Sequence, residues 1–296
     1  MTSPDILCIG SVLWDIIGRA PVAMRAGSDV PGRITRVPGG VAMNIAMTLA
    51  RLGLRPALLS AVGRDAAGDA LVAEADRLGL ETATLHRPAD LPTDSYMAIE
   101  GANGLIAAIA DAQSLEKAGD SILTPLADGR LGSTAAPWAG LVAIDGNLTR
   151  DLLARIAQSP LFGAADLRVA PASPGKADRL LALVGHPTAT FYVNREEAGL
   201  ICDTVFADAA AAAHGLVACG VHRALVTDGA DMAAEACGDT LRRACPPAVP
   251  VARVTGAGDT FMAAHIAAEA RGARPDAALP RALAAAAAYI SGDHPQ

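Results

Sequence analysis

The amino-acid sequence predicts an α/β protein in which a mainly parallel sheet is covered by helices on both faces. Short apolar runs bounded by turn residues predict buried strands; they are ILCIGSV, PALLSAVG, GLVAIDG, LRVAPA, TFYVN and RALVTDG. Segments with helical periodicity alternate with these runs and cover 41–53, 66–79, 149–157, 175–184, 203–218, 258–271 and 276–291. This alternation indicates parallel strands, because a parallel pair needs a crossover connection that is usually a helix.

Composition supports a single domain, residues 1–296, whose partners are small molecules. The chain has 296 residues, and 52% of them are hydrophobic, which is enough for a well-buried core. The formal net charge is −7 and the sequence has no run of Lys or Arg. A nucleic-acid surface needs clustered positive charge, so we expect no nucleic-acid partner.

The cysteines and the apolar stretches favour a cytoplasmic protein. The five cysteines are scattered, with no CxxC pair, which indicates neither a zinc site nor a disulfide framework and fits a reducing compartment. The N-terminal MTSPDILCIGSV has no basic region before its apolar run, so we expect no signal peptide. The stretch AALPRALAAAAAYIS is too short to predict a membrane span.

One region breaks the alternation and predicts a small second sheet. From residue 81 to 111 the runs ETATLHR, SYMAIE and LIAAIAD, with GANG as a turn, predict extended strands without a helix. With RITRVP at 33–38 they predict a projecting sheet formed by about 11–38 and 81–119, which is either a lid over a site or an edge extension. Its exposed apolar residues and edges would need a cover, so we expect a homodimer in which two such sheets pair.

The stretch RVTGAGDTF near the end of the chain predicts an anion site. Gly256 and Gly258 permit unusual backbone conformations, and the following helix contributes unpaired amides and the positive end of its dipole. Asp259 lies in the first turn, where it either favours the helix dipole or accepts a proton from a hydroxyl group. A plain helix start is the alternative. No GxGxxG or GxxxxGK[ST] motif is present.

A second glycine-rich stretch lies at residues 39–69, where two glycines precede an apolar helix. Gly39 and Gly40 would let a ligand approach the backbone, and Asn44, one turn into the helix, could bond hydroxyl groups. A tight turn followed by a helix with one buried polar residue is the alternative. The stretch ends with a strand followed by Gly63, Asp65 and Gly68.

Together these stretches resemble the two signatures of the ribokinase-like, or PfkB, family of sugar and nucleoside kinases. NREEAGL at 194–200 is similar to the family's NxxE element, and TDG at 227–229 is similar to its TxG element. The resemblance covers nearly the whole chain in order. It implies a three-layer αβα sandwich with a β-sheet lid, and phosphoryl transfer from ATP with Mg²⁺.

The resemblance also implies a role for each matching residue. Asp259 would be the general base, and the amides of Gly256, Ala257 and Gly258 would stabilise the transferring phosphoryl group. Glu197 would hold Mg²⁺ through water. The residues that would line the ATP phosphates are Asn194, Thr227 and Gly229, with Gly256 and Gly258, and those that would bind substrate hydroxyls are Asp15, Gly39, Gly40 and Asn44.

Within the family, TDSYMAIEGANGLIAAIADAQSLEKAG at 93–119, DGNLT at 145–149 and LRVAPASPGKA at 167–177 resemble the pseudouridine kinase branch. This implies transfer to the 5′-hydroxyl of pseudouridine, with the base contacted by Ser95, Tyr96 or Asp111. Two alternatives stay open: a kinase of another sugar or nucleoside, such as ribose, a ketohexose derivative, adenosine or inosine, and a ligand-binding protein without turnover. Arg253 stands where many members have an aspartate associated with a monovalent cation, which leaves a potassium requirement open.

Overall fold

The computed structural model describes residues 3–25 and 27–292, so the ends of the predicted domain and residue 26 lie outside it. A main sheet has the strand order β12-β11-β10-β9-β8-β7-β1-β4. Its strands are β1 (Ile6–Ile9), β4 (Pro56–Leu59), β7 (Leu141–Asp145), β8 (Asp166–Ala170), β9 (Thr190–Asn194), β10 (Arg223–Thr227), β11 (Ala233–Cys237) and β12 (Thr240–Ala244). All neighbours from β4 to β10 pair in parallel, which confirms the predicted parallel sheet.

Helices cover both faces of this sheet, as the sequence predicts. The α-helices are α1 (Val41–Arg51), α2 (Ala66–Arg77), α3 (Gln113–Ala118), α4 (Arg150–Gln158), α5 (Arg195–Cys202), α6 (Ala209–Ala218), α7 (Ala257–Ala270) and α8 (Pro275–Ser291). One apolar cluster joins the sheet to α1, α2, α7 and α8, and a second joins the opposite face to α3, α4, α5 and α6. Within residues 3–25 and 27–292, none of the helices combines the length and apolarity of a membrane span.

A separate small sheet has the order β3-β2-β5-β6. It consists of β2 (Leu13–Arg19), β3 (Arg33–Gly39), β5 (Ser95–Gly101) and β6 (Gly104–Asp111). The predicted hairpin is present, and the turn at Gly101–Gly104 uses the positive φ of Gly104. This sheet contains one parallel pair, β2 with β5, and two antiparallel pairs.

The structure differs from the predicted element boundaries in four places. Residues 81–86 do not join the small sheet: they run beside β4 and the residues after it, and form isolated bridges to Ala57 and Ala61. The predicted helix at 175–184 is a 3-10 helix, Pro174–Leu183, that begins with a proline. The β11–β12 hairpin was not predicted, because AAEAC and TLRRA lack a clear apolar alternation. The helix predicted at 203–218 starts only at 209, and the separate helix α5 precedes it.

A buried ionic cluster lies between the main sheet and α7. Arg168 on β8 donates to Glu269 on α7 at 2.5 Å, and Arg223 on β10 donates to the other oxygen of Glu269 at 2.7 Å. Arg223 also bonds Glu235 on β11 at 2.8 Å. Burial alone would raise the pKa of Glu269, but the hydrogen bond from Arg223 and the nearby positive charges lower it to about 2. The cluster therefore ties three strands to one helix through charge-assisted hydrogen bonds.

We expect Glu269→Gln to lower the free energy of unfolding by about 3 kcal/mol at neutral pH, because it removes the carboxylate that Arg168 and Arg223 share and leaves them only their pairs with Asp166 and Glu235. A carboxylate whose folded pKa is lowered stabilises the protein above its ordinary pKa and loses this contribution as pH falls toward the folded value. The difference between the variant and the wild type should therefore shrink below about pH 4. Urea denaturation across a pH series measures both effects.

The matched control is Glu74→Gln, which removes an exposed ion pair with Arg77 on α2. Exposed pairs of this kind contribute about 0.5 kcal/mol or less, so this variant should unfold nearly as the wild type does. A loss in Glu269→Gln that stayed constant at every pH would contradict the ionic role of Glu269.

Candidate active site

The predicted site residues converge at the carboxyl end of the main sheet. Ser11 follows β1, Asp145 ends β7 and Asn194 ends β9. The first turns of α1 and α7 point at the same region, since these helices pack against each other. Carboxyl ends of parallel strands and N-termini of helices therefore form one rim, which is the usual place for a ligand in an open α/β sheet.

Asn44 and Asp259 form the centre of this rim. The Asn44 side-chain amide on α1 donates to the Asp259 carboxylate on α7 at 2.9 Å. These residues are 215 positions apart in the sequence, and the contact unites the two glycine-rich stretches. Both Gly40, before α1, and Gly256, before α7, have positive φ angles of 94° and 87°.

Three further carboxylates lie close enough to influence Asp259. Burial is the largest cause that raises the pKa of Asp259; the Asn44 hydrogen bond lowers it, the negative charges of Asp145, Asp15 and Glu197 raise it, and the net pKa is about 7. Burial also raises the pKa of Asp15 to about 6. A carboxylate that titrates near neutrality is suited to accept a proton at physiological pH.

Asp15 lies directly against the Gly39 backbone. A Cβ atom added at Gly39 would lie 2.1 Å from an Asp15 oxygen, and one added at Gly40 would lie 2.5 Å from the Ser11 carbonyl oxygen. Both positions therefore need glycine because a side chain would clash with Asp15 or Ser11. This need is separate from any advantage that glycine gives to a ligand that approaches the backbone. The structure thus brings together the four predicted hydroxyl-binding residues, namely Asp15, Gly39, Gly40 and Asn44.

A network around Asp145 was missed as part of the site. This fully buried carboxylate accepts from the Ser11 amide at 2.8 Å and from the Ser11 hydroxyl, and it also accepts from the Asn147 amide at 2.7 Å. The Ser11 hydroxyl oxygen in turn accepts a hydrogen bond from the Val41 backbone amide at the start of α1. Lys176 donates to the Asn147 side chain at 2.7 Å. The available signal was the polar run Asp145–Gly146–Asn147 directly after a buried strand.

Glu197 is buried at the start of α5. It is 8% exposed, and its Oε2 accepts from the Asn194 amide at 2.9 Å while Asn194 Oδ1 accepts from the Glu197 amide at 2.8 Å. This reciprocal pair is a capping box at the start of α5. Burial raises the pKa of Glu197, and the charge of Glu196 adds to the shift.

A divalent cation at this rim would have few protein ligands. Among the residues described, no group of three or more His, Cys, Asp or Glu side chains forms a metal cage. The capping box uses only Oε2 of Glu197, which leaves its second oxygen for a water ligand of an ion. Mg²⁺ keeps several waters and takes few protein carboxylates, so this arrangement fits Mg²⁺ held through water.

Thr227 and Gly229 continue the rim beyond Asn194. Thr227 pairs with Asn194 at the ends of β10 and β9, and Gly229 has a φ of 60°. A cavity of about 840 Å³ adjoins this edge. Its lining includes Asn194, Arg195, Asp203, Phe206, Asp228 and Gly229.

The loop before α7 is fixed to the end of α8. The Arg253 guanidinium stacks over the Tyr289 ring at 4.0 Å and donates to the Tyr289 carbonyl oxygen at 2.8 Å. The Tyr289 hydroxyl donates to the Thr255 carbonyl oxygen at 3.0 Å. Within the loop, the Ala257 amide already donates to the Val254 carbonyl oxygen at 3.1 Å, so this amide is turned away from the predicted anion site.

The predicted contacts in the small sheet divide between its two faces. Tyr96 pairs with Asp15 across β5 and β2, and burial followed by the charge of Asp15 raises the pKa of Tyr96. Ser95 on β5 pairs with Asp111 on β6. This pair is next to the pair that Tyr96 forms with Ala110. Successive side chains alternate between faces, so Ser95 and Asp111 lie on the face opposite to Asp15. Their contact with a substrate stays a prediction.

Asp65 anchors the small sheet instead of contributing to the rim. Its carboxylate accepts from the Gly68 amide at 2.7 Å, and from the Thr93 amide and hydroxyl at 2.8 and 2.6 Å. A Cβ atom at Gly68 would lie 2.1 Å from the Gly63 carbonyl oxygen. The end of the first glycine-rich stretch therefore holds the chain that enters β5.

The family assignment agrees with this geometry. Residues 3–295 match the pfkB family carbohydrate kinase model. The chain therefore belongs to the pfkB family of carbohydrate kinases, as the two signatures indicate.

Curated relatives match parts of the chain. The uncharacterized sugar kinase YeiI of Escherichia coli is 33% identical over 146 residues, which cover 49% of this chain and 39% of that protein. The pseudouridine kinase of Escherichia coli is 39% identical over 75 residues, covering 25% and 24%. The pseudouridine kinase of Arabidopsis thaliana is 25% identical over 181 residues, covering 61% and 46%. The chain thus spans less than half the length of these relatives.

Solved structures match the whole architecture. A carbohydrate kinase from Agrobacterium tumefaciens has a TM-score of 0.79 and 27% identity, with 95% of this chain and 89% of that chain covered. Ribokinase from Arabidopsis thaliana, complexed with ribose and ATP, has a TM-score of 0.77 and 20% identity, covering 98% and 93%. These similarities confirm the ribokinase-like fold.

Proposed function

We propose that this chain transfers the γ-phosphoryl group of Mg-ATP to the 5′-hydroxyl of pseudouridine, giving pseudouridine 5′-phosphate and ADP. Family membership supports the reaction class, and the matched segments of two pseudouridine kinases support the acceptor. The observation that carries the proposal is the Asp259 carboxylate at the start of α7, which accepts a hydrogen bond from Asn44 and whose pKa burial raises to about 7.

Asp259 acts as the general base. Its carboxylate takes the proton of the acceptor hydroxyl as the hydroxyl oxygen bonds to the γ-phosphorus, and the bond from that phosphorus to the ADP oxygen breaks. The positive end of α7 and the amides of Gly256 and Gly258 stabilise the charge on the phosphoryl oxygens. The Ala257 amide joins them only if it leaves the Val254 carbonyl oxygen, which requires the loop to rearrange when nucleotide binds.

Asn194, Thr227 and Gly229 line the nucleotide phosphates, and Glu197 holds Mg²⁺ through water. The magnesium ion neutralises phosphate charge when it is bound. The carboxylates at the rim favour this arrangement, because a cation offsets their mutual repulsion. The guanidinium of Arg253, which is fixed over the Tyr289 ring, places a positive charge beside the loop before α7. We therefore propose no separate potassium ion at this loop.

Asp15, Gly39, Gly40 and Asn44 bind the acceptor hydroxyls. Tyr96 lies on the same face of the small sheet as Asp15, where an aromatic ring with a hydroxyl group can contact a nucleobase. Pseudouridine differs from uridine by an additional ring N–H. A site that hydrogen-bonds this group would reject uridine strongly, because a buried acceptor would lose its partner.

A kinase of another sugar or nucleoside is the second candidate. The ribokinase complexed with ribose and ATP has the same fold, and a relative is named as a sugar kinase. The hydroxyl-binding group around Asp15 would suit any acceptor with a ribose-like ring.

The acceptor is tested by measuring ADP release from Mg-ATP with pseudouridine, uridine, cytidine, adenosine, inosine, ribose and fructose. We expect pseudouridine to be used with the largest kcat/KM and uridine to be used at least tenfold less well, a ratio that one lost hydrogen bond of about 1.4 kcal/mol explains. Preference for another acceptor would support a kinase of this family that has a different substrate. Absence of turnover with every compound would favour a ligand-binding protein.

We expect Asp259→Asn to retain nucleotide binding and to lower kcat by a hundredfold or more, because a positioned base contributes about 10²–10⁴. In the wild-type enzyme, kcat should fall as pH is lowered through about 7, since only the charged carboxylate accepts a proton. Initial rates at saturating substrate and calorimetric titration with ATP measure the two quantities. Turnover equal to that of the wild type would exclude Asp259 as the base.

Asn44→Ala provides the matched variant for this pH profile. The Asn44 hydrogen bond lowers the pKa of Asp259, so its removal should move the acid limb of kcat to higher pH. An unchanged acid limb with a raised KM would limit Asn44 to substrate binding.

We also propose that the small sheet forms a homodimer. Ile34, Met97, Ile99 and Ile109 are 76%, 46%, 38% and 69% exposed. The strand register places all four on the face opposite to Asp15 and Tyr96. An apolar sheet face of this kind is a liability in water unless another surface covers it, and a second copy of the same face is self-complementary.

We expect the wild-type protein to sediment as a dimer at micromolar concentration and Ile109→Glu to sediment as a monomer, because a charge would be buried between the sheets. Val205→Glu is the control, since Val205 is 94% exposed and lies far along the chain beside α5. A wild-type protein that sediments as a monomer would overturn this interface.

A further inference from the structure

Two cysteines that are distant in the sequence lie in contact in the fold. Cys202 ends α5, and Cys219 follows α6 as its C-terminal cap. Their Sγ atoms are 2.7 Å apart, although 17 positions separate them. This distance is not far above the length of about 2.05 Å of a disulfide bond. The pair had no signal in the sequence, because neither a CxxC spacing nor a regular pattern marks it.

The packing of α5 and α6 creates this contact. Both helices pack on the same face of the main sheet, and Ala198, Ile201, Ala212 and Leu216 belong to the apolar cluster there. The C-terminal ends of the two helices meet, so the two sulfur atoms need no movement of the helices to approach each other. Cys219 is exposed to solvent and Cys202 is half-buried.

We propose that Cys202 and Cys219 are a site of oxidative modification, at which a hydroperoxide oxidises the two thiols to an intramolecular disulfide. Cys219 reacts first, because this residue is exposed to solvent whereas Cys202 is half-buried. Cys202 is the resolving thiol, because its sulfur already lies against that of Cys219.

The chemistry divides into two balanced steps. The Cys219 thiolate attacks one oxygen of hydrogen peroxide, the O–O bond breaks, and hydroxide leaves, which gives a sulfenic acid. Cys202 sulfur then attacks the Cys219 sulfur, the S–O bond breaks, and water leaves with the Cys202 proton. Two thiols are oxidised and one peroxide is reduced to two waters. Burial, together with the neighbouring Cys219 sulfur, raises the pKa of Cys202 to about 12, which agrees with Cys202 reacting second.

The disulfide would restrain one wall of the cavity beside Asn194. The loop closed by the bond contains Asp203, Thr204, Val205 and Phe206, which line this cavity. Asn194 and Glu197 lie at the opposite end of α5, so the bond removes no residue of the candidate active site. We therefore expect oxidation to stabilise the folded protein by restricting the unfolded chain. The inference does not depend on the proposed function.

Peptide mapping of the full-length protein tests the proposal. The protein is treated with increasing hydrogen peroxide until the exposed Cys245 has reacted completely, and the remaining thiols are then alkylated. Trypsin leaves residues 196–223 as one peptide with both cysteines, and a protease that cleaves before aspartate separates 196–202 from 208–223. We expect these two fragments to remain linked, and to separate after treatment with dithiothreitol.

Two variants provide the controls. Cys202→Ser and Cys219→Ser should each abolish the link, and wild-type protein should show a higher thermal midpoint when oxidised, whereas Cys202→Ser should not. Both cysteines alkylated at a peroxide concentration that consumes Cys245 would overturn the proposal. A link between two separate chains, detected as a covalent dimer that Cys219→Ser abolishes, would also overturn it.

Discussion

The hydrogen bonds between Ser11 and Asp145 are the constraint on which the site depends. They join the ends of β1 and β7, and the Ser11 oxygen also fixes the Val41 amide at the start of α1. The contact is so close that a Cβ atom at Gly10, whose φ is 149°, would lie 2.3 Å from the Asp145 Cβ atom. The position of α1 therefore follows from Asp145, and the position of Asn44 and its bond to Asp259 follows from α1.

The protein combines carboxylates that oppose folding with carboxylates that support it. The pKa values of Asp259 and Asp15 are raised, so the folded state prefers them protonated and their ionisation destabilises it as pH rises toward neutrality. The lowered pKa of Glu269 acts in the opposite direction, because its ionised form is stabilised by two guanidinium groups. The reactive end of α7 thus costs stability, and the opposite end of the same helix, where Glu269 lies, contributes it.

Much of the fold follows from local patterns in the sequence, whereas parts of the site depend on distant contacts. The parallel strands have apolar runs bounded by turns, and the glycines around α1 and α7 mark unusual backbone, so both were predictable. The role of Asp145 could not be predicted, because a buried aspartate at the end of a strand gives no indication of its hydrogen-bond partner. The division of Ser95, Tyr96 and Asp111 between two faces of the small sheet also could not be predicted, because it depends on the register in which β5 pairs with β2 and β6.

The small sheet is attached to the main body through short, hydrogen-bonded roots. Asp65 holds Thr93 directly before β5, and Asp94 accepts from the Ser114 and Leu115 amides directly after β6, at 2.9 and 3.0 Å. Both ends of the hairpin are therefore pinned to the main body. A rotation of the hairpin about the line through these two roots would displace the tip at 102–103 most and Tyr96, beside the root, least. A fluorescent label at the tip would report such a rotation with the greatest amplitude, while the residues at the floor of the site would change position least.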